Sequence, residues 1–413
     1  MANVSSSNSH KEYTPDLRFA TDTANWQEVL FSNLFEMMSN NTLSRAELDT
    51  TGTIKNIHYG DVLIKFGDTL NIQNDDLPYI KDNSKIRNPK YLANGDVIIA
   101  DTAEDETVGK STEIYGIIDE KVVSGLHTIP VRPLQKFASK YLGYYINSPA
   151  YHNQLLAIMQ GIKVYSISKS NIANTVIKFP NIQTQSKIAE LLCILDRRIE
   201  KQHKLIDSIK SYKRGLLSLV FGNKFPNSIL AEILQKGKAG GTPQSSNSTY
   251  YNGNIPFLSI SDITEQGKYI CYTEKHISEI GLQNSTAWIV PQGSLILSMY
   301  ASYGLVAINK VPLATSQAMF NMVFNKDVNV EYIYYYLSYL ATTDYYTKMV
   351  STGTQPNLNA EKVKAIPIYL PSTVEQCYIV KLLQSYDNKL TKEELILTKL
   401  LSQKTALLQQ LFI

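Results

Sequence analysis

Apolar residues recur in two long stretches of this chain at steps that alternate four and three. The first stretch runs through Ile188, Leu192, Leu195, Ile199, Ile206, Ile209, Leu216 and Val220; the second runs through Ile379, Leu383, Tyr386, Leu390, Leu397, Leu400, Leu407 and Leu411. This spacing keeps one side of a helix apolar and is the seam of a coiled coil. Each stretch opens on a capping signal, Asn181 after Pro180 and Ser372-x-x-Glu375 after Pro371. Such side-chain oxygens satisfy the free N–H groups of a helix start. No glycine or proline interrupts either helix until Gly215 and Gly222. Four polar residues, His203, Lys213, Glu393 and Lys404, break the seam. They are costly in a dry core, so they either fix the register of the pair or lie where the partner is thin. Two separate amphipathic helices, each on its own domain, are the alternative to a coiled coil.

Elsewhere the apolar runs are short and bounded by Gly, Asp and Asn. They predict strands over 61–66, 95–100, 121–131 and 164–179, with a helix over 137–146. The later half predicts strands over 257–261 and 294–299 and a helix over 331–340. The halves are copies at a fixed offset: Pro180 and Pro371 differ by 371 − 180 = 191, and the same shift carries Gln185 to Gln376, Asp196 to Asp387, Lys213 to Lys404 and Phe221 to Phe412. A unit this long is a duplicated domain with its helix, not a solenoid repeat. The expected organisation is a loose tail (1–16), a first domain (17–180), a first helix (181–223), a second domain (224–371) and a second helix (372–413). The fold class is α+β: two similar mixed α/β domains separated by two long helices that form an antiparallel coiled coil, with a pseudo-two-fold internal repeat.

Length and composition narrow this picture little. The 413 residues have room for two domains and extended helices, and 44% hydrophobic content excludes global disorder. A net charge of +3 confines any nucleic-acid surface to a local patch. The 27 tyrosines suit cores, sheet edges and interfaces alike. Cys193, Cys271 and Cys377 have neither metal nor disulfide spacing, which fits a reducing cytoplasm. The polar start has no signal-peptide core, and no run approaches a membrane span.

Three chemical motifs fail on inspection. Asn88-Pro89-Lys90-Tyr91 has lysine where an amino-methyltransferase loop needs its second proline. Gly109-Lys110-Ser111-Thr112 has Glu104 where a phosphate loop needs glycine. Asp119-Glu120-Lys121 has no Pro-Asp partner for nuclease chemistry, and the six histidines form no metal pair. The expectation is a chain without catalysis of its own and with no bound cofactor or metal.

Two like domains on paired helices make a ruler with two readers. Antiparallel pairing puts the domains about a pseudo-dyad like that of B-form DNA. A helix of roughly 40 residues is ~60 Å long, about 17 base-pair steps, which is an upper reach. Here the residues resemble a known family. Gly240-Gly241-Thr242-Pro243, Tyr250-Tyr251-x-Gly253-x-Ile255-Pro256-Phe257, Ala301-Ser302-Tyr303-Gly304, Thr315-Ser316-Gln317-Ala318 and Gly353-Thr354-Gln355-Pro356-Asn357-Leu358 carry the likeness. The first half is more diverged, with Gly161-Ile162-Lys163-Val164-Tyr165-Ser166 and Ala100-Asp101-Thr102-Ala103 in the matching places. From about Leu17 to Phe412 the chain resembles the specificity subunit of type I restriction–modification enzymes. The resemblance implies two target-recognition domains on two conserved helices, reading the half-sites of an asymmetric bipartite sequence in double-stranded DNA. It implies partners: two methyltransferase subunits that use S-adenosylmethionine to methylate adenine N6, and restriction–translocase subunits that use ATP and Mg2+.

Side chains at base edges specify and cations at phosphates hold. Candidates in the first domain are Lys81, Lys85, Arg87 and Lys90, with Asn83 and Asn88 between them, and Lys110 and Lys163. In the second they are Lys236, Lys238, Thr242, Gln244, Lys268, Lys275, Tyr300 and Tyr303. An ordinary solvated surface charge is the competing reading for each lysine. From a different functional class, the competing reading of the whole chain is a coiled-coil adaptor whose two globules bind proteins.

Overall fold

The computed structural model describes residues 14–19, 26–161, 163–300, 302–350 and 358–413. Most of the tail, Ile162, Ala301 and most of the Gly353-to-Leu358 loop lie outside the described residues. The chain divides into two compact units, residues 1–202 with 396–413, and residues 203–395.

Both units are built on one plan. In the first, a five-stranded sheet has the order Phe35–Met37, Thr128–Pro133, Val97–Ala100, Ser111–Tyr115, Thr69–Asn71. In the second, the order is Leu234–Ala239, Met319–Phe324, Leu295–Ser298, Val306–Asn309, Tyr269–Ile270. The central strands, Val97–Ala100 and Leu295–Ser298, are buried along their whole length, which explains why they read as continuous apolar runs. Beside each sheet lies a smaller one containing a parallel pair: Lys121–Ser124 with Ile54–Ile57, and Ala314–Thr315 with Tyr251–Leu258. A two-stranded ribbon closes each domain, Gln27–Leu30 on Val176–Phe179 and Ser228–Ile229 on Pro367–Ile368.

The sequence-based elements need four corrections. Residues 61–66 are not a strand; 61–64 form the end of the helix Tyr59–Ile64, which is capped by the His58 ring nitrogen accepting the Gly60 N–H at 3.2 Å, and Lys65 is its C-cap. A short apolar run has no period long enough to separate the two states; here Val62 is buried while Ile64 is 89% exposed. Residues 121–131 are two strands, Lys121–Ser124 and Thr128–Pro133, in different sheets. Within 164–179 the Ser168 hydroxyl accepts from the Asn171 N–H and starts the helix Lys169–Ala173. The strand placed at 257–261 is Tyr251–Leu258, after which Ser259 caps the helix Ile260–Gln266.

The long helices span Ile182–Phe221 and Thr373–Gln410. Asn181 accepts the Thr184 N–H at 2.9 Å and Ser372 accepts the Glu375 N–H at 3.3 Å, so both caps form. Every seam residue is buried or half-buried. In the first unit Ile188 and Leu192, early in the first helix, share a core with Leu411 and Phe412 at the end of the second. In the second unit Leu217 and Phe221, late in the first helix, share a core with Ile379 and Leu383, early in the second. The helices therefore run antiparallel.

The polar seam positions have partners related by the repeat. In the first unit Lys404 lies 2.6 Å from both Asp196 and Asp68, and the Tyr144 hydroxyl donates to Asp196 at 2.7 Å. In the second, Lys213 pairs with Asp387, and the Tyr335 hydroxyl donates to the same carboxylate. Each of these lysines meets a carboxylate on the opposite helix. His203 is exposed and Glu393 half-buried. Among the described residues no helix is long and apolar enough to cross a membrane.

One buried acid carries a pH signature. Glu113 is 1% exposed, and its carboxylate accepts the Lys140 and Gly143 N–H groups at the start of the helix Tyr141–Asn147. Burial outweighs those donors and pushes its pKa up from 4.5 to about 7. The folded state then binds more protons than the unfolded one between those two values. This contribution to stability is complete below the lower value and is lost as pH rises to the upper one. We expect Glu113→Gln to remove up to about 3 kcal/mol of that fall, at ~1.4 kcal/mol per pKa unit. Melting curves across this pH range check it; parallel profiles for variant and wild type would place the titration elsewhere.

Candidate nucleic-acid interface

One end of each domain gathers loops from equivalent backbone positions. In the first unit the Asn41 N–H donates to the Ser124 carbonyl at 2.8 Å, and in the second the Gly241 N–H donates to the Thr315 carbonyl at 2.9 Å. The Asp101 N–H donates to the His127 carbonyl at 3.1 Å, as the Met299 N–H does to the Ala318 carbonyl at 2.8 Å. Gly109 (φ +87°) and Gly304 (φ +84°) turn the chain back, with N–H groups on the Ala100 and Ser298 carbonyls. A Cβ at Gly109 would lie 2.6 Å from Leu155, and one at Gly304 2.7 Å from the Tyr346 ring, so these turns need glycine.

The side chains on this shared scaffold differ. Asp101, Thr102, Leu126 and His127 in the first unit stand where the second has Met299, Tyr300, Gln317 and Ala318. Tyr165–Ser166 pairs with Thr102–Ala103, which brings exposed Lys163 to the same end. Next to these loops a cleft is lined by Asn41, Lys85, Arg87, Asn88, Lys90 and Ser124. The Asn40 amide holds it to the 125–127 turn through the Gly125 carbonyl at 3.1 Å. The corresponding cleft of the second unit is lined by Thr242, Ser245, Tyr251, Asn252, Lys275 and His276. There the Thr242 hydroxyl donates to the Gln317 amide oxygen.

The structure sorts the candidate cations. Lys81 donates to the Ala46 carbonyl at 2.8 Å, Lys85 pairs with Glu47 at 2.7 Å, and half-buried Lys110 donates to the Leu63 carbonyl at 2.7 Å. Lys236 lies 3.8 Å from the centre of the Trp288 ring. Lys268 sits among Tyr335, Glu331 and Asp387, the last two at 3.5 and 3.8 Å. Burial lowers its pKa against the pull of those carboxylates. Arg87, Lys90, Lys163, Lys238 and Lys275 are exposed and have no side-chain partner among the described residues. Gln244 is exposed, Tyr300 is 37% exposed, and Tyr303 is half-buried. Sequence reasoning passed over Asp101, Thr102, His127 and Gln317 as loop-lining groups. The signal was present: the 191 offset places 124–127 on 315–318.

Burial, then the nearby Arg45 guanidinium, holds the His58 pKa below its ordinary value, so this ring is neutral and fixed as a cap. Of the free cations, Arg87 and Lys90 line the first cleft and Lys275 lines the second.

Over residues 23–211 and 224–400 the chain matches the family described as Type I restriction modification DNA specificity domain. It is 31% identical over 150 residues to the Type I restriction enzyme MjaIX specificity subunit of Methanocaldococcus jannaschii, a match spanning 36% of this chain and 35% of that one. It is 23% identical over 389 residues to the putative type I restriction enzyme MjaX specificity subunit of the same organism, spanning 88% of this chain and 87% of that one. The crystal structure of a type I restriction–modification S subunit from M. genitalium superposes with a TM-score of 0.56 at 17% identity, over 97% of this chain and 99% of that one. A chain solved in work on complex assembly and conformational transition of the type I R-M system superposes with a TM-score of 0.62 at 17% identity, over 94% of this chain and 97% of that one. At such identity the two structures speak for a shared fold. The family segments cover most of the chain in two successive copies, as its internal repeat requires, and this protein belongs to the type I restriction–modification DNA specificity family.

Proposed function

We propose that this chain reads an asymmetric bipartite sequence in double-stranded DNA, one half-site per domain, and brings methyltransferase subunits to it. One observation carries the proposal: two copies of the same loop scaffold present different side chains, Asp101, Thr102 and His127 against Tyr300 and Gln317. A protein reading a palindrome has no use for that divergence. The paired helices set the spacer between half-sites in this reading. Adenine N6 methylation with S-adenosylmethionine, and cleavage driven by ATP and Mg2+, belong to partner subunits. The long helices offer those partners apolar surface, with Ile194, Leu205, Tyr212 and Leu219 on the first and Val374, Tyr378, Leu395 and Leu401 on the second all at least 39% exposed.

The test uses the chain assembled with its methyltransferase subunits on DNA carrying the mapped recognition sequence. Arg87→Ala is expected to weaken binding to all sequences alike and to lower the salt slope by about one, as loss of a phosphate contact does. Unchanged affinity and slope would remove Arg87 from the interface. Binding of a protein partner but not of DNA by the assembled complex would replace this reading with the adaptor.

A further inference from the structure

In the first unit Asp101, Thr102 and His127 form a hydrogen-bonded cluster. The Thr102 hydroxyl donates to Asp101 Oδ1 at 2.8 Å. The His127 Nδ1 atom lies 3.2 Å from that same Oδ1 and 3.4 Å from the Thr102 oxygen. Thr102 has spent its proton on Asp101, and an ionised carboxylate only accepts. Both neighbours of Nδ1 are therefore acceptors, so the neutral ring carries its proton on Nδ1. Nε2 is left as a bare lone pair. The Tyr59 ring meets the imidazole edge-on with centroids 5.3 Å apart, which limits how the ring can turn. The side chain is nevertheless 47% exposed. Its backbone is left-handed (φ +54°), a conformation uncommon outside glycine, asparagine, aspartate and histidine.

A histidine that is held on one nitrogen, braced on one edge and 47% exposed, with no hydrogen-bond partner on its other nitrogen among the described residues, is poised to accept one hydrogen bond from a ligand. We propose that His127 is a specificity-determining residue of the first domain, its Nε2 accepting a hydrogen bond from the exocyclic amino group of adenine or cytosine in the major groove. Those are the bases that present a donor there; guanine and thymine present acceptors at the matching positions, and an acceptor facing an acceptor is rejected. Asp101 acts through His127 by fixing its tautomer. The second unit has Ala318 at the equivalent place, so this readout belongs to one half-site. The inference rests on the DNA-reading function proposed above.

The experiment maps methylated adenines in a random-sequence plasmid library modified by the chain with its methyltransferase subunits. His127→Gly deletes the ring and accepts the left-handed backbone without strain. The expected result is an unchanged spacer, an unchanged second half-site, and about tenfold weaker discrimination at one adenine or cytosine position of the first half-site. Asp101→Asn permits the side-chain amide to donate to Nδ1 and the ring to carry its proton on Nε2. It is expected to admit guanine or thymine at the same position. A wild-type motif that both variants reproduce at every position overturns the role of His127, as does an equal loss of methylation at all sequences. If the His127→Gly chain melts well below wild type, His127→Asn, which also tolerates this backbone, carries the same readout. A wild-type chain that directs no sequence-dependent methylation refutes the DNA-reading function itself.

Discussion

Phe412→Ala is expected to destabilise the first unit by about 3–5 kcal/mol, the cost of emptying a buried aromatic site. Phe412 is 3% exposed and lies edge-on to Tyr141 and Tyr145, with ring centroids 5.8 and 5.6 Å away. It lies two residues past the second helix and packs on the first domain. Its repeat partner Phe221 ends the first helix and packs on Tyr332 and Tyr336 of the second domain, at 5.7 and 5.3 Å. Each domain is thus closed by the end of the helix that follows the other one. Calorimetry should show a loss of roughly 10 °C in the transition of the affected unit, from about 2–4 °C per kcal/mol for units of this size. Phe225→Ala, at a site 89% exposed, is the control. A Phe412→Ala chain that melts like this control would mean the helix end is not part of the core.

Lys404→Met is expected to cost about 2–4 kcal/mol, somewhat below the penalty for a fully buried orphaned charge. The ammonium neutralises two carboxylates at once, Asp68 and Asp196, whose side chains are 12% and 31% exposed. Without it, two like charges face each other with little water. Replacing the three charged residues together, Lys404→Met with Asp68→Leu and Asp196→Leu, should recover most of the loss, because no unpaired charge then remains. Urea unfolding of the single and triple variants separates these cases. A triple variant no more stable than the single one would show that packing, not charge, set the penalty.

Much of this architecture was legible in the chain before folding. The duplication at an offset of 191, the two heptad seams and both helix caps are statements about spacing, and spacing survives as geometry in a helix. The antiparallel pairing was supposed from the repeat and is decided by the fold, where Ile188 shares a core with Phe412 and Phe221 shares one with Ile379. Short apolar runs were less informative. Val62-Leu63-Ile64 has no period to distinguish strand from helix, and its state was decided by the His58 cap and the Arg45 pair with Asp61 at 2.7 Å.

The candidate interface divided the same way. Sequence marked the lysines but not their partners, because a cation looks the same whether it is free or taken. Lys85 was paired by Glu47, distant in sequence, and Lys268 was drawn in among Tyr335, Glu331 and Asp387, while Arg87 and Lys90 were left outside. The Asp101, Thr102 and His127 cluster joins residues 26 positions apart along the chain, through the register of Thr128–Pro133 on Val97–Ala100. By itself the sequence determined that there are two copies of one domain and two helices to pair, since periodicity and repetition are properties of order along the chain. Only the tertiary structure decided which charges are spent inside and which nitrogen of His127 is held, since those depend on distances that order along the chain does not contain.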